Sequence, residues 1–329
     1  MEYLFFREHE PLPADSESPR WYGIRRALRF ANRYGHSCFI TSSFDHYTKQ
    51  RKIIPDWLNN AGVRVILVPS FKYSHNKSIY RFINTFFYNL YSYFYLAMKR
   101  KSFAFFSGPS LGIFCFPSLL ILKHNIHIEL RDCWPLIARP SEQSVLTLLR
   151  FHVLNFFAFW AYKKCTKKFK IRCVSRGVYE YLFEIIKAPN HLLYRPFLAE
   201  RCSLVRGKKN KDTALFVGTF ENGFDECEFI RILGSPLSKT LNITIAGYGT
   251  KSDLVRQLCE NLDNVTFKGK VTHSEVREMM RSSFYLLCFY PKNVGFEHHR
   301  TNKIMEAEAH DLTIISNMVL DTNLPMILI

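Results

Sequence analysis

Two basic side chains and a carboxylate stand close together near the end of the chain, in the stretch RTNKIMEAEAHD. Arg300 and Lys303 lie where a helix is predicted to begin, and the N–H groups and partial positive charge of a helix start favour an anion such as phosphate. Glu306 follows Lys303 at a spacing that puts both side chains on one side of the helix. A carboxylate behind a phosphate site suits the two hydroxyls of a ribose. The alternative is an ordinary surface pair between Lys303 and Glu306.

The pattern around these residues, from 284 to 316, predicts a strand, a loop, a helix and a second strand. FYLLCFY and LTIIS are short continuous apolar runs of the kind found in buried parallel strands. The segment between them, PKNVGFEHHR, is polar and contains proline and glycine, which is typical of a loop. Thr301 is predicted to cap the helix NKIMEAEAH. Because ligands bind beyond the carboxyl ends of parallel strands, we expect the basic residues to lie at a binding site.

The composition is that of a globular protein. The 329 residues suffice for two domains, with 47% hydrophobic and 22% charged residues. The net charge of +17 indicates polyanionic partners, which include phosphorylated substrates, an anionic membrane surface and nucleic acid. The nine cysteines lack metal-binding spacing, and Cys38, Cys115 and Cys288 are predicted to be core residues of a reducing compartment. We expect neither a signal peptide nor a membrane-spanning helix.

Strands and helices alternate along the chain, which predicts an α/β fold with doubly wound parallel sheets. The first domain is expected at 1–194, a linker at 195–212 and the second domain at 213–329. In the second domain one strand is predicted to end at Gly218 and Thr219, and another at Gly247. These turns and the helix start at 302 are the places where phosphate could be held.

The stretch TNKIMEAEAHDLTIIS resembles the donor-sugar motif of retaining GT-B glycosyltransferases of family four, the large bacterial group that builds surface polysaccharides such as capsule and O-antigen. Asn302, Lys303 and Glu306 stand in the matching places of that motif. Asp311 stands where the family has a helix-ending glycine, and aspartate tolerates the left-handed backbone better than most residues. The donor-binding residues that the resemblance implies are Gly218, Thr219, Gly247, Arg300, Asn302, Lys303 and Glu306.

Two further stretches, 20–46 and 128–135, resemble the first domain of the same family. The resemblance implies two Rossmann-like domains facing a cleft and transfer of a hexose or N-acetylhexosamine, with retention, from a nucleotide diphosphate sugar to a lipid-linked or polysaccharide acceptor. It implies no metal and no other cofactor. It also implies that Arg131 and Asp132 lie in the cleft as catalytic residues, where Asp132 binds hydroxyls and Arg131 meets phosphate. From the residues alone, Asp132 could instead cap the following turn.

Three features depart from the family pattern. The loop LPADSESPR after the first strand has no glycine, so Arg20 and Arg25 are the candidates to hold the acceptor there. The segment TFENGFDECEF carries four acids and no base, whereas the family has basic residues there that clamp the diphosphate. The second domain is expected to be shortened at its end. These features favour an alternative, a non-catalytic relative that binds a partner transferase or the membrane surface.

An aromatic run followed by lysines, 145–171, predicts a helix suited to the surface of an anionic bilayer, although a core helix with a solvated charged end is also compatible. Nucleic acid is excluded as a partner, because the basic residues are not arranged as in a known reader of nucleic acid. We therefore expect a cytoplasmic protein that is peripheral on the inner face of the cell membrane. The lysines expected to contact lipid are Lys163, Lys164, Lys167, Lys168 and Lys170.

Overall fold

The computed structural model divides into two compact units. The first unit comprises Met1–Val174 and Val178–Arg195, and the second comprises Ser175–Gly177 and Pro196–Ile329. Most of the predicted linker lies outside the described residues. The described residues are 2–13, 22–46, 48–74, 78–99, 102–108, 125–130, 145–187, 191–195, 209–221, 224–290 and 301–329.

The first unit alternates strands with helices. Its strands are β1 (Glu2–Phe6), β2 (Ser37–Ser42), β3 (Val63–Val68), β4 (Ser102–Gly108), β5 (Asn125–Leu130), β6 (Lys170–Cys173) and β7 (Leu192–Tyr194). The helices in the same part of the chain are α1 (Tyr22–Tyr34), α2 (Asp56–Asn60), α3 (Ile79–Met98), α4 (Val145–Cys165) and α5 (Arg176–Ile186). Within the described residues, the strands form one parallel sheet in the order β3-β2-β1-β4-β5-β6-β7, a Rossmann order with one added strand.

Both faces of this sheet are covered by helices, which explains why its strands are largely apolar. On one face, Phe5 and Phe39 pack with Ile24 of α1 and Leu58 of α2. The other face is covered by α3, α4 and α5. Their buried side chains include Tyr88 and Leu96 of α3, Ala158 and Tyr162 of α4, and Leu182 of α5.

The second unit repeats this arrangement. Its strands are β8 (Thr213–Thr219), β9 (Asn242–Tyr248), β10 (Val265–Gly269), β11 (Tyr285–Cys288), β12 (Thr313–Ser316) and β13 (Met326–Leu328). Its helices are α6 (Glu226–Leu233), α7 (Pro236–Lys239), α8 (Ser252–Glu260), α9 (His273–Ser282) and α10 (Asn302–Ala309). In the described part of this unit the strands are all parallel, in the order β10-β9-β8-β11-β12-β13. α6 and α8 pack on one face, and α9 and α10 on the other.

The predicted α/β class with two parallel sheets is confirmed. Asp311 has a φ of +54°, so it takes the left-handed conformation expected of it after α10. The elements that were not predicted include the short α2, α7, β7 and β13. Each of these has only three to five residues, too few for a periodic pattern, and β13 is held in the sheet by pairing with β12.

Among the described residues, none of the helices is both long and apolar enough to cross a membrane.

Candidate functional site

The predicted donor-binding residues that the structure describes meet at one edge of the second sheet. β8 lies between β9 and β11, with Gly218 opposite Gly247 and Phe216 opposite Leu287. Because all three strands are parallel, their carboxyl ends lie at the same edge, and α10 begins there as well. Arg300, the other predicted cation, is outside the described residues.

Lys303 is held at this edge between two aromatic rings. Its Nζ lies 5.2 Å from the ring centre of Phe216 and 5.0 Å from that of Tyr290. Burial lowers the pKa of Lys303, and the nearby Cys288 thiol opposes that shift. No carboxylate lies within ion-pair distance of Lys303 among the described residues. The ring faces attract the ammonium, but they do not neutralise its charge.

Gly218 leaves room beside this cation. A Cβ placed on Gly218 would lie 3.9 Å from the Lys303 Nζ and only 3.1 Å from the Phe216 ring. A side chain at 218 would therefore crowd the ring and stand next to the ammonium. The structure thus combines an open strand end, a partly buried cation and the start of a helix, the three features that favour a phosphate group.

The prediction that Thr301 caps α10 is wrong. Thr301 stands at the N-cap position, but its side chain accepts no hydrogen bond from the helix. Its hydroxyl instead lies 2.7 Å from the phenol oxygen of Tyr290. Tyr290 is buried, which raises the pKa of its phenol and makes a hydrogen-bond partner necessary. The N–H groups in the first turn of α10 are therefore not satisfied by Thr301.

Glu306 pairs with a histidine rather than with Lys303. Its Oε1 lies 3.8 Å from Nε2 of His273, the first residue of α9, and no ion pair joins Glu306 to Lys303. Both side chains of the pair keep some exposure, 22% for His273 and 29% for Glu306. The surface pair considered as the alternative is thus not formed. His273 was missed because nothing in its local sequence links it to a helix about thirty residues later.

Gly247 has a structural task at this edge. A Cβ at 247 would lie 2.2 Å from the carbonyl oxygen of Gly218, and one at Gly249 would lie 2.4 Å from that of Phe220. Gly249 also has a φ of +149°, a conformation that suits glycine. These glycines let the end of β9 approach the turn after β8, where the Phe220 N–H donates to the Tyr248 carbonyl over 2.8 Å.

Most carboxylates of the acidic segment after β8 are bound by nearby groups of the protein. Asp225 caps α6 by accepting from the N–H of Glu228. Glu228 is in turn paired with Arg231, and Glu226 lies 2.6 Å from Lys251. Lys251 stands just before α8, after the end of β9, and was not predicted as a site residue. Its charge lies at the binding edge but is shared with Glu226.

In the first unit, a carboxylate from the loop after β1 occupies the start of α1. The carboxylate of Glu10 accepts a hydrogen bond of 2.8 Å from the backbone N–H of Ile24, in the first turn of α1. A Cβ on Gly23 would lie 2.5 Å from the same carboxylate. The start of α1, which could otherwise receive an external anion, is therefore filled. Arg25 lies partly buried on α1, and Arg20 is outside the described residues.

A buried ionic cluster lies beside this loop. Glu129 of β5 accepts hydrogen bonds from Arg7 and Arg26, and from Arg172 over 3.3 Å. Burial alone would raise the pKa of Glu129, but the three arginines hold it below its ordinary value. The predicted catalytic residues Arg131 and Asp132 follow β5 directly, but they are outside the described residues.

No protein-family model matches the chain, and no curated protein matches it in sequence. Solved structures do match. Sucrose-phosphate synthase from Thermosynechococcus elongatus is 14% identical with a TM-score of 0.63, over 97% of this chain and 82% of that one. WaaG, a glycosyltransferase involved in lipopolysaccharide biosynthesis, is 14% identical with a TM-score of 0.57, over 98% and 82%. The catalytic domain of Starch Synthase IV from Arabidopsis thaliana, bound to ADP and acarbose, is 10% identical with a TM-score of 0.57, over 95% and 82%. These similarities establish the fold as that of GT-B glycosyltransferases.

Proposed function

We propose that the protein is a retaining glycosyltransferase of cell-surface polysaccharide biosynthesis. It transfers a hexose or N-acetylhexosamine from a nucleotide diphosphate sugar to a lipid-linked or polysaccharide acceptor. The fold shared with glycosyltransferases supports this proposal, as does the Asn302-Lys303-Glu306 motif at the edge of the second sheet.

The single observation that carries the proposal is the environment of the Lys303 ammonium, which lies between two aromatic rings. The partly buried ammonium of Lys303 has no carboxylate partner among the described residues, which costs free energy that a bound phosphate would offset. The neighbouring start of α10, uncapped by Thr301, adds a second attraction for negative charge. A structural lysine would be expected to have an acidic partner instead.

In the proposed reaction, the bond from the anomeric carbon to the diphosphate breaks, an acceptor hydroxyl oxygen bonds to that carbon and gives up its proton, and negative charge grows on the leaving diphosphate. Lys303, the start of α10 and Arg300 stabilise that charge, the task that a metal ion performs in other transferases. Glu306 binds the ribose hydroxyls, with His273 orienting its carboxylate. Arg131 and Asp132 are proposed to contact phosphate and sugar hydroxyls.

The proposal includes attachment to the inner face of the membrane, where a lipid-linked acceptor would be found. The five lysines at the end of α4 and the start of β6 are all exposed, as lipid contact requires. Each lysine near an anionic surface contributes about 1 kcal/mol of attraction.

A panel of nucleotide diphosphate sugars tests the proposal. Ligand-detected NMR measures binding, and release of nucleoside diphosphate measures turnover. We expect at least one donor to bind and be consumed, and Lys303→Met to lower its turnover by about 10²–10³-fold. Lys239→Met, which removes an exposed lysine from α7, is the matched control and should behave as the wild type. Binding of no donor, or equal turnover in both variants, would contradict the proposal.

A second candidate function is a non-catalytic relative that binds a partner transferase or the membrane. The observation in its favour is the carboxylate of Glu10 at the start of α1, a place where a helix could receive an anionic substrate group. This function predicts membrane or partner binding with no turnover of any donor. The same panel therefore separates the two functions.

A further inference from the structure

The helix α3 is apolar on the side that faces solvent. Its outward side chains recur every three or four residues over the whole helix, which is about 30 Å long for 20 residues. Phe86 and Phe94 are 53% and 54% exposed, and Met98 is 78% exposed. No charged side chain interrupts this row. The outward row comprises Ile79, Phe82, Phe86, Leu90, Phe94 and Met98.

The opposite side of α3 carries both apolar core residues, such as Leu96, and polar groups whose hydrogen bonds fix the helix against the rest of the unit. The amide of Asn84 accepts from the N–H of Phe71 and donates to its carbonyl, over 2.7 and 2.8 Å. Thr85 donates to Glu8 over 2.6 Å, and the phenol of Tyr88 donates to the carbonyl of Ile40 over 2.8 Å. Rotating the helix to bury its aromatic row would break these bonds, so the apolar side stays outward.

The same face of the first sheet carries a second aromatic helix. α4 packs on the sheet in the same buried cluster as α3. Its exposed side chains include Phe156, Phe157 and Trp160, followed by the exposed Lys163 and Lys164. The Lys164 ammonium lies 6.0 Å from the ring of Trp160. Apolar and basic surface are therefore presented together on one side of the unit.

We propose that α3, together with the exposed part of α4, is a membrane-docking surface, with α3 lying along the interface of an anionic bilayer. The proposal rests on the membrane attachment named above but assigns it mainly to burial of the apolar row of α3. Protein interfaces carry about one hydrogen bond per 100–200 Å², whereas the row on α3 offers no polar group. A lipid surface requires no directional partners, and its negative charge complements the net charge of +17.

Vesicle flotation without any donor tests this inference, so its outcome is independent of turnover. The probes are vesicles of phosphatidylcholine alone and of phosphatidylcholine with phosphatidylglycerol. We expect the wild type to bind both, and the mixed vesicles more strongly. Phe86→Asp with Leu90→Asp should weaken binding to both at least tenfold. Ile230→Asp, at a 50% exposed apolar residue of α6 in the second unit, is the matched control and should leave binding unchanged.

Circular dichroism and thermal unfolding confirm that the double variant is folded, and Phe86→Ser with Leu90→Ser serves as a second variant if it is not. Equal flotation of wild type and variant would overturn the inference. The inference would also be overturned if the wild type did not bind vesicles but formed a dimer in sedimentation, and the double variant were a monomer. The apolar row of α3 would then join two copies of the chain.

Discussion

The phenol of Tyr290 and the hydroxyl of Thr301 lie 2.7 Å apart, and this contact connects the segment just after β11 to the N-cap of α10. The same Tyr290 ring faces the Lys303 ammonium. One tyrosine therefore holds the residue at the N-cap away from its usual role and also faces the cation of Lys303, two residues further along. The helix start and the cation are presented together to whatever binds at this edge.

Lys303 is expected to matter more for turnover than for donor affinity, because the charge on the leaving diphosphate grows as the sugar bond breaks. Lys303→Ala should lower kcat by about 10²–10³-fold, the usual loss on removal of one preorganised stabilising group. Donor affinity, measured by calorimetry, should fall by less. A loss confined to affinity would mean that Lys303 binds the ground state and the transition state equally.

Glu306 is expected to bind the nucleotide rather than to stabilise the fold, because its carboxylate is partly exposed and its neighbour is a histidine. Glu306→Gln should weaken nucleotide binding by about 1–3 kcal/mol, the scale of a lost charged hydrogen bond. Thermal unfolding should barely change. Glu278→Gln, on the exposed side of α9, is the control and should leave nucleotide affinity intact. Unchanged affinity in Glu306→Gln would remove this residue from the site.

The five lysines after the aromatic part of α4 should strengthen binding to anionic vesicles only. Replacing all five with glutamine should release most of the protein from vesicles containing phosphatidylglycerol, at about 1 kcal/mol per charge. Raising the salt concentration should have the same effect, whereas binding to neutral vesicles should not change. If neither the replacement of the lysines nor added salt weakens binding to anionic vesicles, these lysines do not face lipid. The lysines are Lys163, Lys164, Lys167, Lys168 and Lys170.

Acid should destabilise the first unit in part through His127. Burial, with the nearby cations Lys170 and Arg26, lowers the pKa of His127 to about 4. An unfolded histidine titrates near pH 6.5, so between about pH 6.5 and 4 the unfolded chain binds a proton that the folded chain does not. The free energy of unfolding therefore falls as the pH falls through that window.

His127→Gln should reduce this acid loss by about 1–2 kcal/mol, after allowance for solvent screening of a half-buried group. Urea unfolding at pH 7 and at pH 4.5 measures the difference. His36→Gln, at an exposed position after α1, is the control. The same pH dependence in wild type and His127→Gln would show that this imidazole does not couple to folding.

The sequence was informative where a pattern is local. Continuous apolar runs predicted most strands, and the position of Asp311 after a helix predicted its left-handed backbone, since both depend on neighbouring residues. The surroundings of Lys303 could not be predicted in this way. Phe216 lies on a different strand far earlier in the chain, and only the pairing of β8 with β11 brings it beside the lysine.

The orientation of α3 was also beyond sequence reasoning. Its composition is aromatic throughout, and the usual assumption that the apolar side faces the core gives the wrong answer here. Hydrogen bonds from Asn84, Thr85 and Tyr88 to distant residues decide which side is buried. Such contacts are made in the folded chain and leave no periodic signal.

The cluster around Glu129 has a consequence for how this protein can change over time. Three guanidinium groups, from Arg7, Arg26 and Arg172, donate hydrogen bonds to that one carboxylate. Replacing Glu129 first would leave buried positive charge without its carboxylate partner. Replacing one arginine first would leave two arginines paired with the Glu129 carboxylate. We expect the three arginines to be substituted one at a time during evolution, and Glu129 to be substituted only after most of these arginines have been replaced.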